Sequence, residues 1–248
     1  MKLLFLGRKP AAARVLQWSL DQGIEVTGVI TDTDIPRSPT AAVARANGVP
    51  LLTHDEAVDR VRNGTLEIDI GVSFLYWRIV RHPLLGAPRL GFINFHPAPL
   101  PGYRGSGVYN RAILDAAASW GTTAHFMDTG IDTGPIVDQA RFAIDPDRET
   151  AQSLERRTLR HMTALYRRTM KRLRAEGRLP TFPNSRGRTM TQQQVDAMKR
   201  IVPGDDVERK VRAFWYPPYR GAYVEIDGRK YTLVTDRLLR TLGMGRAP

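Results

Sequence analysis

Three side chains near the middle of the sequence combine functions suited to group transfer at a carbonyl carbon. Asn94 and His96 stand two residues apart in the run FINFHP, and Asp132 follows in the turn DTGIDTGP. An amide donates to an oxygen that is gaining negative charge, an imidazole takes a proton from an attacking amine, and a carboxylate orients that imidazole. All three must be held against one carbon to be useful. If extended geometry persists through FINFH, strand alternation sends Asn94 and His96 to one side and Phe95 to the other. Pro97, Pro99 and Pro101 then stiffen the exit and help hold His96 in one rotamer. Gly130 and Gly134 flank Asp132 and permit sharp turns and close approach of a flat ligand, which favours it over its competitor Asp128. His96 is open to two roles, base for the amine or cation sharing the oxyanion with Asn94. His125, in TAHFMD, reads as a packed strand residue or as a support for the site.

Composition narrows the alternatives. The 248 residues contain no cysteine, which excludes disulfides, thiolate–zinc sites and a cysteine nucleophile. The five histidines, His54, His82, His96, His125 and His161, lack the close helical spacing of a zinc protease, so no metal site is expected. No apolar run approaches the ~20 residues of a membrane span, and a strand starts almost at Met1, so a cytoplasmic enzyme is expected. The net charge of +12 favours anionic partners, although an arginine-rich solvated surface explains it equally well.

The elements that must position these groups alternate. KLLFLG reads as a buried strand, GRKP as a turn, and residues 11–22 as a helix closed by Gly23. IEVTGVI is a second strand. The polar stretch TDTDIPRSPT leads to a short helix, AAVARANG, then a short strand VPLL, a helix HDEAVDRVRNG and a buried strand IDIGVSFL. Such alternation predicts an α/β fold, Rossmann-like, with a mostly parallel sheet and helices on both faces. FINF runs straight into HPAPLPGYRGSG, which places the polar chemistry at a strand's C-terminal end, where ligands bind in open α/β sheets. A helix VYNRAILDAAAS, two long strands and a long helix over residues 149–175 follow, the last with an apolar stripe and arginine-rich outer faces. GRLPTFPNSRGR reads as a linker, after which two short helices and a hairpin with an Asp227-Gly228 turn form a small C-terminal appendage. The expected organisation is a catalytic domain over 1–180 and a linker plus subdomain over 181–248, with loose final residues.

FINFHPAPLPGYRG followed by MDTGIDTGPI resembles the folate-dependent formyltransferases, a family that includes methionyl-tRNA, glycinamide ribonucleotide and sugar N-formyltransferases. The resemblance covers most of residues 1–180. It implies a catalytic triad of Asn94, His96 and Asp132, with Ile131 where the family usually has leucine, and 10-formyltetrahydrofolate as formyl donor. Transfer to an amine would pass through a tetrahedral intermediate without a covalent enzyme adduct. YWRIV precedes Asn94 at the family's spacing, which implies that Trp77, Arg78, Ile79 and Val80 surround the folate ring, with the backbone of residues 128–132, including Asp128 and Gly130, closing the other side. The acceptor is expected beside Arg104 and Gly105 and near the first turn, Gly7, Arg8 and Lys9, while the aromatic residues Trp215 and Tyr216 of the appendage either stack on a nucleotide base there or pack a dimer interface. The short appendage suggests a small amine acceptor, above all the amino group of a nucleotide-linked sugar, in a homodimer. Methionyl-tRNA as acceptor and hydrolysis of formyl-folate are the alternatives.

Overall fold

Burial alternates from the first strand onward. In β1 (Lys2–Gly7), Leu3 and Phe5 enter one core and Leu4 and Leu6 enter another on the opposite face, all four fully buried. A strand buried on both sides needs cover on both faces, and the flanking helices supply it. The computed structural model describes residues 1–32, 37–185 and 187–241. Residues 33–36 of the polar stretch, Arg186 of the predicted linker and the final residues 242–248 lie outside the described residues.

In chain order, β1 is followed by α1 (Lys9–Asp21), β2 (Glu25–Ile30), α2 (Pro39–Ala46), α3 (His54–Arg62), β3 (Ile70–Phe74), β4 (Phe92–His96), β5 (Tyr103–Gly105), α4 (Val108–Leu114), β6 (Ser119–Phe126), β7 (Ile136–Ala143) and α5 (Ala151–Glu176). Then come β8 (Arg188–Met190), α6 (Gln192–Ala197), α7 (Val207–Ala213), β9 (Tyr223–Ile226), β10 (Arg229–Thr232) and α8 (Asp236–Thr241). The main sheet has the order β2-β1-β3-β4-β6-β7, parallel from β2 to β4 and antiparallel at β6 and β7. The expected Rossmann-like, mostly parallel sheet is thus present. VPLL is not a full strand: Leu51 makes a single bridge to Val29.

α1 and α5 cover one face. Val15 and Leu16 meet Met162, Leu165, Tyr166 and Met170 there, and Ser19 Oγ lies 2.6 Å from Tyr166 Oη, a hydrogen bond inside that core. α3 and the turn at Leu84 and Leu85 cover the other face. α5 begins on a capping box at Thr150 and ends on Gly177 in the left-handed region, φ 68°. The hairpin β9–β10 pairs across Asp227 and Gly228, both at positive φ. Its neighbours Phe214, Trp215 and Ala222 join Val195, Val211 and Leu238 in a separate core cluster.

Candidate active site

The centre of the site is a row across three strands. Register puts Ser73 of β3 beside Asn94 of β4, and Asn94 beside His125 of β6, so the three side chains share one face of the sheet. Asn94 Nδ2 lies 3.1 Å from His125 Nε2. The His125 Nδ1–H donates to the carbonyl of Phe126 at 2.8 Å, so in the neutral ring Nε2 accepts from Asn94. His125 therefore belongs to the site itself. Two positions along β4, His96 Nε2 donates to the carbonyl of Tyr103 at 2.7 Å, which leaves Nδ1 as its bare nitrogen.

Asp132 comes from the loop between β6 and β7 and adopts φ 56°, a conformation that aspartate tolerates better than most residues. Its Oδ1 lies 3.4 Å from Asn94 Nδ2, 3.4 Å from His96 Nδ1 and 3.6 Å from His125 Nε2. Its Oδ2 accepts from the Gly105 N–H at 2.9 Å. Gly105 has φ 76°, and a Cβ there would collide with the carbonyl of Met190, so no other residue brings this N–H to Asp132. Asp128, the competing carboxylate, turns away: its Oδ1 accepts from Gly130 N and Thr133 Oγ1 and shapes the loop.

The loop is clamped from a segment that reads as a linker. Asn184 Nδ2 donates to the carbonyls of Asp132 and Gly134 at 2.9 and 2.8 Å, and Phe182 exchanges backbone hydrogen bonds with Ile136. Asn184 is in turn held by Arg104, whose Nη2 reaches the Asn184 carbonyl at 2.8 Å and its Oδ1 at 2.9 Å. Nothing in the pattern NSRGR announces Asn184, because its partners lie about fifty residues away in sequence.

Burial sets the charges. It pushes the His96 imidazole below its ordinary value, and the attraction of Asp132 opposes this without reversing it. Burial also works against ionisation of Asp132, but His96, His125 and the Gly105 N–H outweigh it and hold the carboxyl down at about 2. The resting pair at neutral pH is an ionised Asp132 beside a neutral His96 with a free lone pair on Nδ1.

A cavity of about 160 Å³ opens beside this row, lined by Ser73, Asn94, His125, Asp132, Gly130 and the segment Tyr76 to Ile79. Trp77, Ile79 and Ile131, about half exposed, form an apolar rim around it. Trp77, Arg78, Ile79 and Gly130, expected around the folate ring, all line this cavity. Val80 does not: it is 2% exposed and packs with Leu84 and Phe92 in the core, because it follows the irregular segment and turns inward. Of the segment 128–132, Gly130, Ile131 and Asp132 line the cavity and Asp128 does not.

A second cavity of about 350 Å³ is lined by Arg8, Lys9, Tyr109, Tyr216, Lys199 and Arg220, among others. Three of the predicted acceptor contacts, Arg8, Lys9 and Tyr216, are in it. Gly7 is not, since it is buried against the Phe5 ring and Ala12, where a side chain has no room. Arg104 is 7% exposed and serves Asn184 instead. Trp215 is 9% exposed and belongs to the core under the hairpin. Gly105 contributes its N–H to Asp132. Among the described residues, no group of three or more histidine and carboxylate side chains is placed to hold a metal ion, and no helix is long and apolar enough to cross a membrane.

Comparison with known proteins bears on this arrangement. A family profile described as formyl transferase matches residues 1–170. A methionyl-tRNA formyltransferase from Chloroflexus aggregans is 30% identical over 95% of this chain and 80% of its own length. Among solved structures, an N-formyltransferase from Helicobacter canadensis, in complex with folinic acid and dTDP-3-aminofucose, superposes with a TM-score of 0.77 at 23% identity, covering 93% of this chain and 86% of its own. A 4-N formyltransferase from Francisella tularensis gives 0.77 at 18% identity, with 94% and 96% covered. These two share the fold, and the profile and the sequence relative go further: the chain belongs to the formyl transferase family, the folate-dependent enzymes that its motifs resemble.

Proposed function

We propose that this enzyme transfers the formyl group of 10-formyltetrahydrofolate to a primary amine on a small anionic acceptor, the amino group of a nucleotide-linked sugar. The observation that carries the reading is that Asp132 lies 3.4 Å from both Asn94 and His96, with Asn94 and Asp132 lining a cavity that has an apolar rim. That cavity suits a flat pterin. Trp77, Ile79 and Ile131 offer apolar surface, and Ser73, Asn94 and His125 offer polar edges. A bound formyl-folate supplies an electrophilic carbon, and the rest of the chemistry belongs to the protein.

Asn94 gives its Nδ2–H to the formyl oxygen as that oxygen gains charge, a donor role worth ~100-fold to ~1000-fold in turnover. His96 takes the amine's proton on Nδ1, the nitrogen left bare by the Tyr103 carbonyl. Asp132, already ionised, then stabilises the imidazolium at 3.4 Å. The proton passes to the folate nitrogen as its bond to the formyl carbon breaks, leaving a formamide and tetrahydrofolate. The neutral resting state of His96 favours the base over the cation.

The second cavity supports a small acceptor. Its size falls in the range of small-molecule sites, and its wall combines cations with tyrosine rings. A second acceptor, aminoacylated tRNA, is supported by the methionyl-tRNA formyltransferase relatives and by the net charge of +12. Incubating the protein with formyl-folate and, separately, amino-sugar nucleotides and methionyl-tRNA tests both. Formamide formed on a sugar nucleotide is expected; formylation of methionyl-tRNA alone replaces this acceptor, and formate release without acceptor dependence replaces transfer with hydrolysis.

A further inference from the structure

Arg8 lines the second cavity and is hydrogen-bonded to the chain next to the wall of the first. Its Nε donates to the carbonyl of Leu75 at 3.1 Å, immediately before the Tyr76 to Ile79 wall of the folate cavity, while its side chain lines the acceptor cavity. Leu75 is at φ 61°, a left-handed conformation that a non-glycine residue keeps only when its surroundings enforce it. Among the described residues, no hydrogen bond or ion pair engages the Nη1 and Nη2 groups of Arg8. The other cations of the acceptor cavity differ. Lys9 is paired with Glu155 at 2.8 Å and Lys199 with Asp196 at 2.7 Å, whereas Arg220, like Arg8, has no ion-pair partner among the described residues. An acceptor anion therefore meets two uncompensated guanidinium groups, Arg8 and Arg220.

Resting on the reading of this cavity as the acceptor site, we propose that Arg8 is a positioning residue that couples the two cavities, so that an anion held on its Nη groups tightens folate binding. The fork geometry of a guanidinium allows this. An anion takes the two Nη groups from one side, and Nε–H stays on the Leu75 carbonyl. Fixing the Arg8 side chain then fixes Leu75 and the segment that walls the folate cavity. The ordering is made once and serves both ligands, so each ligand strengthens the other, and reciprocity requires equal factors.

The test is calorimetric titration of the whole protein with 5-formyltetrahydrofolate, alone and with saturating thymidine or uridine diphosphate. In the wild type, the folate Kd is expected to fall about fivefold when nucleotide is present, at the low end of usual coupling. R8A is expected to bind folate alone but to show the same Kd with and without nucleotide. R8K keeps the charge without the fork and is expected to lose the coupling as well. R220A is expected to need more nucleotide yet to show the full fivefold once saturated, which separates weak binding from lost coupling. An unchanged folate Kd in nucleotide-saturated wild type, full coupling in R8A, or no nucleotide binding at all overturns the proposal. If folate binding persists in any of those cases, formyl transfer still stands and only the coupling falls; if folate does not bind, the functional reading fails with it.

Discussion

Replacing Asp132 with asparagine changes one atom of the site and tests its electrostatics. Asparagine tolerates the left-handed backbone at this position, and its side-chain oxygen can still accept from the Gly105 N–H. What is lost is the charge facing His96 Nδ1 at 3.4 Å. With an effective dielectric of about 20 for this partly buried pair, that charge favours the imidazolium by about 5 kcal/mol, and by about 1 kcal/mol if water screens it fully. Asparagine adds a second obstacle, because its new N–H points at the bare lone pair of Nδ1 and occupies the base. We expect kcat to fall about a thousandfold. Stability reports separately. Asp132 titrates at about 2 against an ordinary value of 3.8, so its ionised form stabilises the fold by about 2 kcal/mol. A depressed carboxyl contributes fully above its unfolded value and loses its contribution as pH falls through the folded one. The Tm of D132N should therefore lie about 4 to 8 °C below wild type at pH 7, with the gap narrowing from pH 5 toward 2. Single-turnover formyl transfer and thermal melts measure the two effects. A variant that keeps kcat within threefold of wild type refutes the assignment of Asp132 as the partner of a proton-accepting His96.

Other outcomes follow from the same geometry. N94A should reduce kcat ~100-fold to ~1000-fold through loss of the oxyanion donor, and wild-type turnover would remove Asn94 from that role. Because burial holds His96 below its ordinary value of 6.5, kcat/KM should rise with an acidic limb whose midpoint lies below 6.5; a midpoint above 7 contradicts a neutral resting base. The same shift makes His96 stabilising above 6.5 and progressively less so as pH drops below it, visible as falling Tm at constant salt. N184A deprives the Asp132 and Gly134 carbonyls of their donor and should cost ~1 to ~3 kcal/mol in denaturant unfolding, with kcat lowered about tenfold. An unaltered kcat would show that the Asp132 loop keeps its place without the clamp.

Much of this molecule was written locally. The period-two burial of KLLFLG, the apolar stripe of α5 and the Asp-Gly turn of the hairpin depend on neighbours within a few residues, so the α/β alternation and most elements could be read from the chain. The spacing of Asn94 and His96 also followed from strand geometry alone, and the glycines around Asp132 singled out the carboxylate that the fold brings to them. Long-range register was not legible. Ser73 and His125 flank Asn94 only because β3 and β6 pair with β4 at those positions, and no pattern in IGVSF or TAHFMD sets that pairing. For the same reason Arg104 and Asn184, eighty residues apart, were separated in sequence into a loop and a linker, although folding makes them one clamp behind Asp132. The residue types of the candidate site thus came from the sequence. Which supports hold them, which predicted contacts turn inward as Val80 and Trp215 do, and which cations stay uncompensated were decided by tertiary packing, where partners are chosen by distance in space.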